Sequence, residues 1–404
     1  MGFLGLNRLK LGSRAEFFRK PERFGPRSIG IAAGAIAVVF AVLRLLIAAD
    51  GDVSRFIVAG QGATSATTVQ PTIHVFASYG YDGQFYFRLA TNPTELNLEE
   101  YHGVRLDSPA RVSRIGYPTI AWALSLGQAA WVKWSLVLTN ILGFGALACA
   151  GAHLARKYGR PEYVGLAIAS ASGLVMSLSR NLCEVIMVAG VVAGAALMKR
   201  ERYTYAAACW AIASLTHEQA LLVVVPYAAF RVVQILRQRS WRLTPPDLPW
   251  IATGVAFGAW QFVGRVAIGT FPVMESGNAS VDIPFRGLIQ QAAHWIENGL
   301  DRQQLLVISQ LVLLAALVVV ALRSAASLAT EDRWLRWALI TATALAVSLS
   351  QNVWVGPAEL RQFVVLSTLA WLVIVASRQK IPMLLFAATA AVWLATAALR
   401  TAAI

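Results

Sequence analysis

Apolar stretches, most of them close to twenty residues long, recur along this chain and leave little room for a soluble fold. The clearest is the first: Ile29 to Ala49 is apolar but for Arg44. Those 21 residues match the roughly 20 that cross a bilayer as a helix, and exceed the about 7–15 of a signal-peptide core. The segment therefore reads as a retained first span. With 57% hydrophobic and 14% charged residues, the chain departs from soluble domains, which run near 45–50% apolar and about 25% charged. Further spans are expected near 131–155, 162–178, 183–198, 203–216, 219–236, 248–268, 304–322, 334–350, 360–377 and 381–399. The expectation is an all-α polytopic membrane protein with about eleven transmembrane helices plus juxtamembrane or interfacial helices.

One short run decides the orientation. Gly116 to Gln128 would measure about 20 Å as a helix, too short for the ~30 Å hydrocarbon core, and its Tyr117 and Trp122 suit an interface. With that run left out of the count, one set of connections reads Arg156-Lys157 and Arg160, Lys199-Arg200 and Arg202, Arg237, Arg239 and Arg242, Arg323, Arg333 and Arg336, then Arg378 and Lys380. All are basic, as cytoplasmic loops are. The amino terminus falls inside, and the net charge of +14 becomes a topology signal rather than a sign of nucleic-acid binding. Residues 1–28, basic and partly apolar, fit a segment lying on anionic lipid as well as a solvated tail. Residues 29–404 form a single membrane-embedded domain.

The other face holds long loops near 50–130 and 269–303 and most of the polar residues of interest. Asp82 stands in the stretch Tyr81-Asp82-Gly83-Gln84-Phe85-Tyr86, which taken locally is also an ordinary Asp-Gly turn. Glu184 follows Ser179-Arg180-Asn181 just inside an apolar run, where an ionisable residue is costly unless it pairs or faces a wet cavity. His217 and Glu218 sit at the next outer turn, and Glu359 and Arg361 at a later one. Taken singly, these are also structural ion pairs, Arg180 with Glu184 or Glu359 with Arg361. His294, beside Trp295, is a lesser candidate. Cys149, Cys183 and Cys209 lack ligand-like spacing and read as core residues rather than a disulfide or zinc framework. The sequon Asn278-Ala279-Ser280 carries no weight here.

This arrangement resembles the GT-C superfamily, integral membrane glycosyltransferases that take a sugar from a polyprenyl-phosphate carrier on the extracytoplasmic face. The resemblance rests on Asp82 in a long loop after the first span, Glu184 in the next outer loop, Arg114-Ile115-Gly116-Tyr117-Pro118, and Leu215-Thr216-His217-Glu218 followed by Leu221 to Pro226. It implies a bacterial plasma-membrane enzyme with a polyprenyl-phosphate sugar donor, a glycan or glycolipid acceptor and lipid as its surroundings. No second acid stands beside Asp82, and no soluble carboxy-terminal domain is expected. The first departure leaves room for a divalent cation without requiring one, and the second argues against a peptide acceptor.

The chemistry fits these residue types. A phosphate leaving group needs cationic stabilisation more than a proton, so one base opposite it suffices. Asp82 would be that base. Arginine suits the phosphate, with Arg361 first and Arg114 and Arg180 behind it. Glu184 and Glu218 would bind sugar hydroxyls or a cation, with Gln84, Tyr86 and His217 as hydrogen-bonding neighbours and His294 as a further contact. The competing reading is a lipid-linked-sugar flippase without bond chemistry, which predicts polar groups and unwound helix near the midplane. A non-catalytic assembly subunit has no positive feature in its favour. The transferase reading demands that Asp82 and Arg361 flank one anomeric carbon.

Overall fold

The computed structural model describes residues 25–239, 242–275, 281–356 and 359–402, with Glu359 described in its backbone only. The segment 1–24 and the sequon lie outside these. The fold is all-α. The long helices are α1 (Pro26–Ile47), α5 (Val132–Lys157), α10 (Leu221–Gln238), α11 (Leu248–Ile268), α13 (Arg302–Ser324) and α16 (Met383–Ala402). With the turns that extend some of them, these six are long and apolar enough to cross a membrane. Their outward faces carry large apolar side chains, among them Ile31, Val255, Val266, Val312 and Leu384, in keeping with contact with lipid.

Between them run α6 (Val164–Ile168), α7 (Ser172–Arg180), α8 (Glu184–Met198), α9 (Tyr203–Thr216), α14 (Arg333–Val347) and α15 (Val364–Ala376). In α15 every residue but Ser367 is buried, which is what a helix apolar all round requires. The stretch 162–178, expected as one span, is instead two short helices parted at Ala169–Ala171. The short outer run is a helix of nine residues, α4 (Gly116–Leu124), in line with its length argument. α1 packs along α5, α5 on α8, α8 on α9 and α9 on α11, while α15 sits against α13 and α14. The α1–α5 seam is close because of glycine: a Cβ on Gly30 would lie 2.7 Å from the Cβ of Cys149 and 2.9 Å from the Gly145 carbonyl oxygen.

The long loop is compact. A two-residue parallel ladder, β1 (Ala59–Gly60) with β2 (Val75–Phe76), leads to α2 (Gly83–Thr91) and α3 (Ala110–Ser113). In the second loop α12 spans Arg286–Asn298. At the far end of the bundle from these loops, ion pairs tie the helix ends together: Lys199 to Asp332 at 2.6 Å, Arg231 to Asp247 at 2.8 Å, Arg156 to Glu162 at 2.7 Å.

Candidate active site

Asp82 is the N-cap of α2, yet its side chain makes no capping bond, although aspartate there normally accepts a helix N–H. Its oxygens go to arginines from two distant segments. Oδ1 lies 2.8 Å from Arg111 and Oδ2 accepts from Arg361 at 2.7 Å, with Arg114 4.0 Å away. Gly83 makes this placement possible. A Cβ there would stand 2.4 Å from the Ile57 carbonyl oxygen and 2.5 Å from that of Arg180, so only glycine lets α2 begin this close to both. The Asp82-Gly83 pair opens a helix and is not a free turn.

Each of these arginines also has a carboxylate of its own. Arg111 holds Asp107 through two bonds of 2.8 and 3.1 Å. Arg114 holds Glu218 through two of 3.1 and 2.6 Å. Arg361 donates to Glu184 at 3.2 Å, so Glu184 pairs with Arg361 rather than with Arg180. Aromatic faces back the guanidiniums: Tyr81 lies under both Arg180 and Arg361 at 4.5 and 4.7 Å, and Phe85 under Arg111 at 4.3 Å. Two-point bonds on Arg111 and Arg114, and stacking on Arg111 and Arg361, fix these planar cations in orientation, which a lysine would not permit. Three arginines are thus oriented by three carboxylates, and Asp82 is the further anion they share. Burial alone would raise Asp82, but Arg361, Arg111 and Arg114 outweigh it and hold the carboxyl far below the ordinary carboxylate range.

The remaining residues singled out from the sequence take various places. Gln84 is wholly committed to the loop: its Oε1 accepts from the Gly60 amide and the Thr64 hydroxyl, and its Nε2 donates to the Tyr79 carbonyl. The Tyr86 hydroxyl meets Cys183 Sγ at 3.0 Å. In the turn between α9 and α10, His217 Nδ1 accepts from the Gln219 amide at 3.2 Å; burial, then Arg114, bring its pKa down to about 4, so the ring is neutral. His294 is not with the others. It is exposed on α12 and bonds only to Asn298 of its own helix among the described contacts. The residues that sequence reasoning passed over are Asp107 and Arg111, whose spacing of four was the available signal, and Ser177, which donates to Glu184 Oε2 at 2.8 Å.

A groove of about 430 Å³ between α10 and α14 leads away from this cluster, beginning at Glu218 and Gln219 and continuing along Leu222, Val225, Trp337 and Leu345. The arrangement as a whole can hold an anion among fixed cations, present one carboxylate to a hydroxyl, and seat an apolar chain alongside. In comparison with known proteins, no family model matches the chain and no curated protein matches it.

Proposed function

We propose that the protein is an inverting membrane glycosyltransferase that moves a sugar from a polyprenyl-phosphate donor to a hydroxyl of a cell-envelope glycan or glycolipid. The observation that carries this reading is the sharing of Asp82 by Arg111 and Arg361, while each arginine keeps a private carboxylate. A donor phosphodiester, itself a single negative charge, replaces Asp82 among the guanidiniums. Asp82, released from their field, regains the basicity of an ordinary carboxylate and takes the proton of the acceptor hydroxyl. That oxygen attacks the anomeric carbon from the face opposite the phosphate. The carbon–oxygen bond to phosphate breaks, and polyprenyl phosphate leaves with its charge held by Arg361, Arg111 and Arg114. Glu184 and Glu218 orient the arginines and border the sugar, and the apolar groove beyond Glu218 suits the isoprenoid chain.

On this reading eleven membrane segments run from a cytoplasmic amino terminus, the ion-paired end faces the cytoplasm, and the Asp82 cluster faces outward in a bacterial plasma membrane. The basic connections support that orientation. The test uses full-length protein in liposomes with radiolabelled polyprenyl-phosphate hexoses and pentoses and extracted envelope glycolipid. Asp82→Asn is expected to lower transfer about 10²–10⁴-fold, the usual worth of a general base, with donor binding retained. Wild-type rates in that variant overturn the proposal. The break at Ala169–Ala171 favours the flippase reading, which predicts donor crossing between leaflets with no glycosylated product.

A further inference from the structure

Next to Glu184 lies a second constellation. Cys183 Sγ, a Glu184 carboxylate oxygen and a His217 ring nitrogen are all within 4.8 Å of one another, and the three residues are 0–2% exposed. We propose that Cys183, Glu184 and His217 bind a single zinc ion. Only the role of that ion, not its binding, rests on the transferase reading.

The donor set selects the metal. A thiolate, an imidazole and a carboxylate are the ligands zinc takes, at about 2.0–2.3 Å, whereas magnesium and calcium demand oxygen shells. Ligand atoms around a tetrahedral zinc stand roughly 3.3–3.8 Å apart by that geometry, so closing from 4.8 Å needs side-chain shifts on the order of 1 Å. His217 is neutral, as a ligand must be. Its Nδ1 accepts from the Gln219 amide at 3.2 Å and lies 3.5 Å from Glu218, which leaves Nε2 to coordinate. On coordination the ring proton resides on Nδ1, which gives up the Gln219 bond and donates a hydrogen bond to Glu218 instead, a carboxylate–histidine–zinc arrangement.

The other two ligands have outer partners as well. The Tyr86 hydroxyl is 3.0 Å from Cys183 Sγ, placed to donate to a thiolate. Ser177 donates to Glu184 Oε2 at 2.8 Å and Arg361 to Oε1 at 3.2 Å. Ligands supported in this way are the mark of a built metal site. No spacing in the sequence announces it, because Cys183 and Glu184 come from the start of α8 and His217 from the far end of α9. With three protein ligands the fourth position is open, the pattern of working rather than purely structural zinc.

Binding displaces one proton, that of the Cys183 thiol, so zinc with thiolate and carboxylate is neutral. Its consequence for the transferase is electrostatic. The ion draws on the Glu184 charge that now holds Arg361, and so leaves more of the Arg361 charge for the donor phosphate.

The experiment titrates metal-stripped, full-length protein in detergent with zinc against a chelating indicator, and repeats the titration with cobalt to read the thiolate-to-cobalt charge-transfer band. Expected are one zinc per chain, one proton released per zinc, and the cobalt band. Cys183→Ser should weaken zinc at least 100-fold and abolish the band. A Cys149→Ser/Cys209→Ser double variant, with Cys183 as its only thiol, should keep both, so the result does not depend on the folding of Cys183→Ser. Absence of stoichiometric binding, a band that survives Cys183→Ser, or a band lost from the double variant overturns the site. Asp82→Asn, which removes none of the three ligands, should still bind one zinc per chain and show the cobalt band. Zinc binding absent while Asp82→Asn still blocks transfer removes the metal and leaves the transferase; a stoichiometric site with wild-type rates in Asp82→Asn does the reverse.

Discussion

Arg361 and Asp82 stand 279 positions apart in the chain and meet at 2.7 Å. Arg361 lies in the turn that leads into α15, a helix buried but for Ser367, and Asp82 at the head of a nine-residue helix in the first loop. Their contact joins the first loop to the entry of α15, and Glu184 at the head of α8 completes it through Arg361, so the cluster reports on long-range assembly rather than on any local element.

Substituting Arg361→Lys keeps the charge and removes the fork. A lysine cannot reach Asp82 and Glu184 together in fixed orientation, nor stack on Tyr81 in the same manner. On the transferase reading, transfer is expected to fall about 10²–10³-fold, the usual loss when one fixed donor to a developing anion is removed. Single-turnover rates with saturating donor check this, and an unchanged rate would contradict its place at the leaving phosphate.

Gly83→Ala tests the packing that seats Asp82. The new methyl meets two backbone carbonyls closer than any Cβ contact allows, and neither can yield without moving the loop or α7. A stability loss of about 1–3 kcal/mol is expected, the usual range for overpacking, together with weaker transfer because Asp82 moves with the helix. Detergent-solubilised thermal melts beside Asp82→Asn separate the two effects: Asp82→Asn should not share the steric loss.

In metal-free protein, His217 makes stability depend on pH, and comparison with His217→Gln separates its share from that of other titrating groups, His153 among them. The folded His217 pKa of about 4 lies below the 6.5 of an exposed histidine, so between these values the unfolded chain binds a proton that the native protein refuses. Stability is complete above pH 6.5, declines as the pH falls towards 4, and loses nothing more through this group below that. The total is on the order of 3 kcal/mol. Unfolding curves at several pH values in that window should be flatter in His217→Gln; parallel slopes would show that another group governs the window.

His294→Ala should be silent. The ring is exposed and bonds to Asn298 within its own helix, so stability is expected to change by no more than about 0.5 kcal/mol and transfer not at all. A rate loss in this variant would mean that α12 closes over the site during turnover.

Hydropathy made the long helices legible, because a span of about twenty apolar residues has few other uses. It failed at 162–178, where the apolar run is continuous but Ser170 and Gly173 accompany a break that only packing reveals. Charge bias placed Asp82, Glu184, Glu218 and Arg361 on a common face, and the structure brings all four together with Arg114. Side-chain pairing was out of reach. The sequence neighbours Arg180 and Glu184 suggested an ion pair, yet Glu184 turns to a residue 177 positions away. Asp107 and Arg111 stand four apart in a polar loop, and the contact with Asp82 that gives Arg111 its worth leaves no mark in the local sequence.

The glycine seam between α1 and α5 has a reach well beyond its own contacts. The first loop leaves the bundle at the end of α1 and returns at the start of α5, so the packing of these two helices holds its two anchors. A long excursion with pinned ends has already met the entropy of closure, which grows only slowly with loop length, and can devote its own small core to arranging Asp82, Arg111 and Arg114. Parting α1 from α5 would move those anchors and with them Arg111 and Arg114, which the loop carries, although no charged group of the cluster lies on the seam itself.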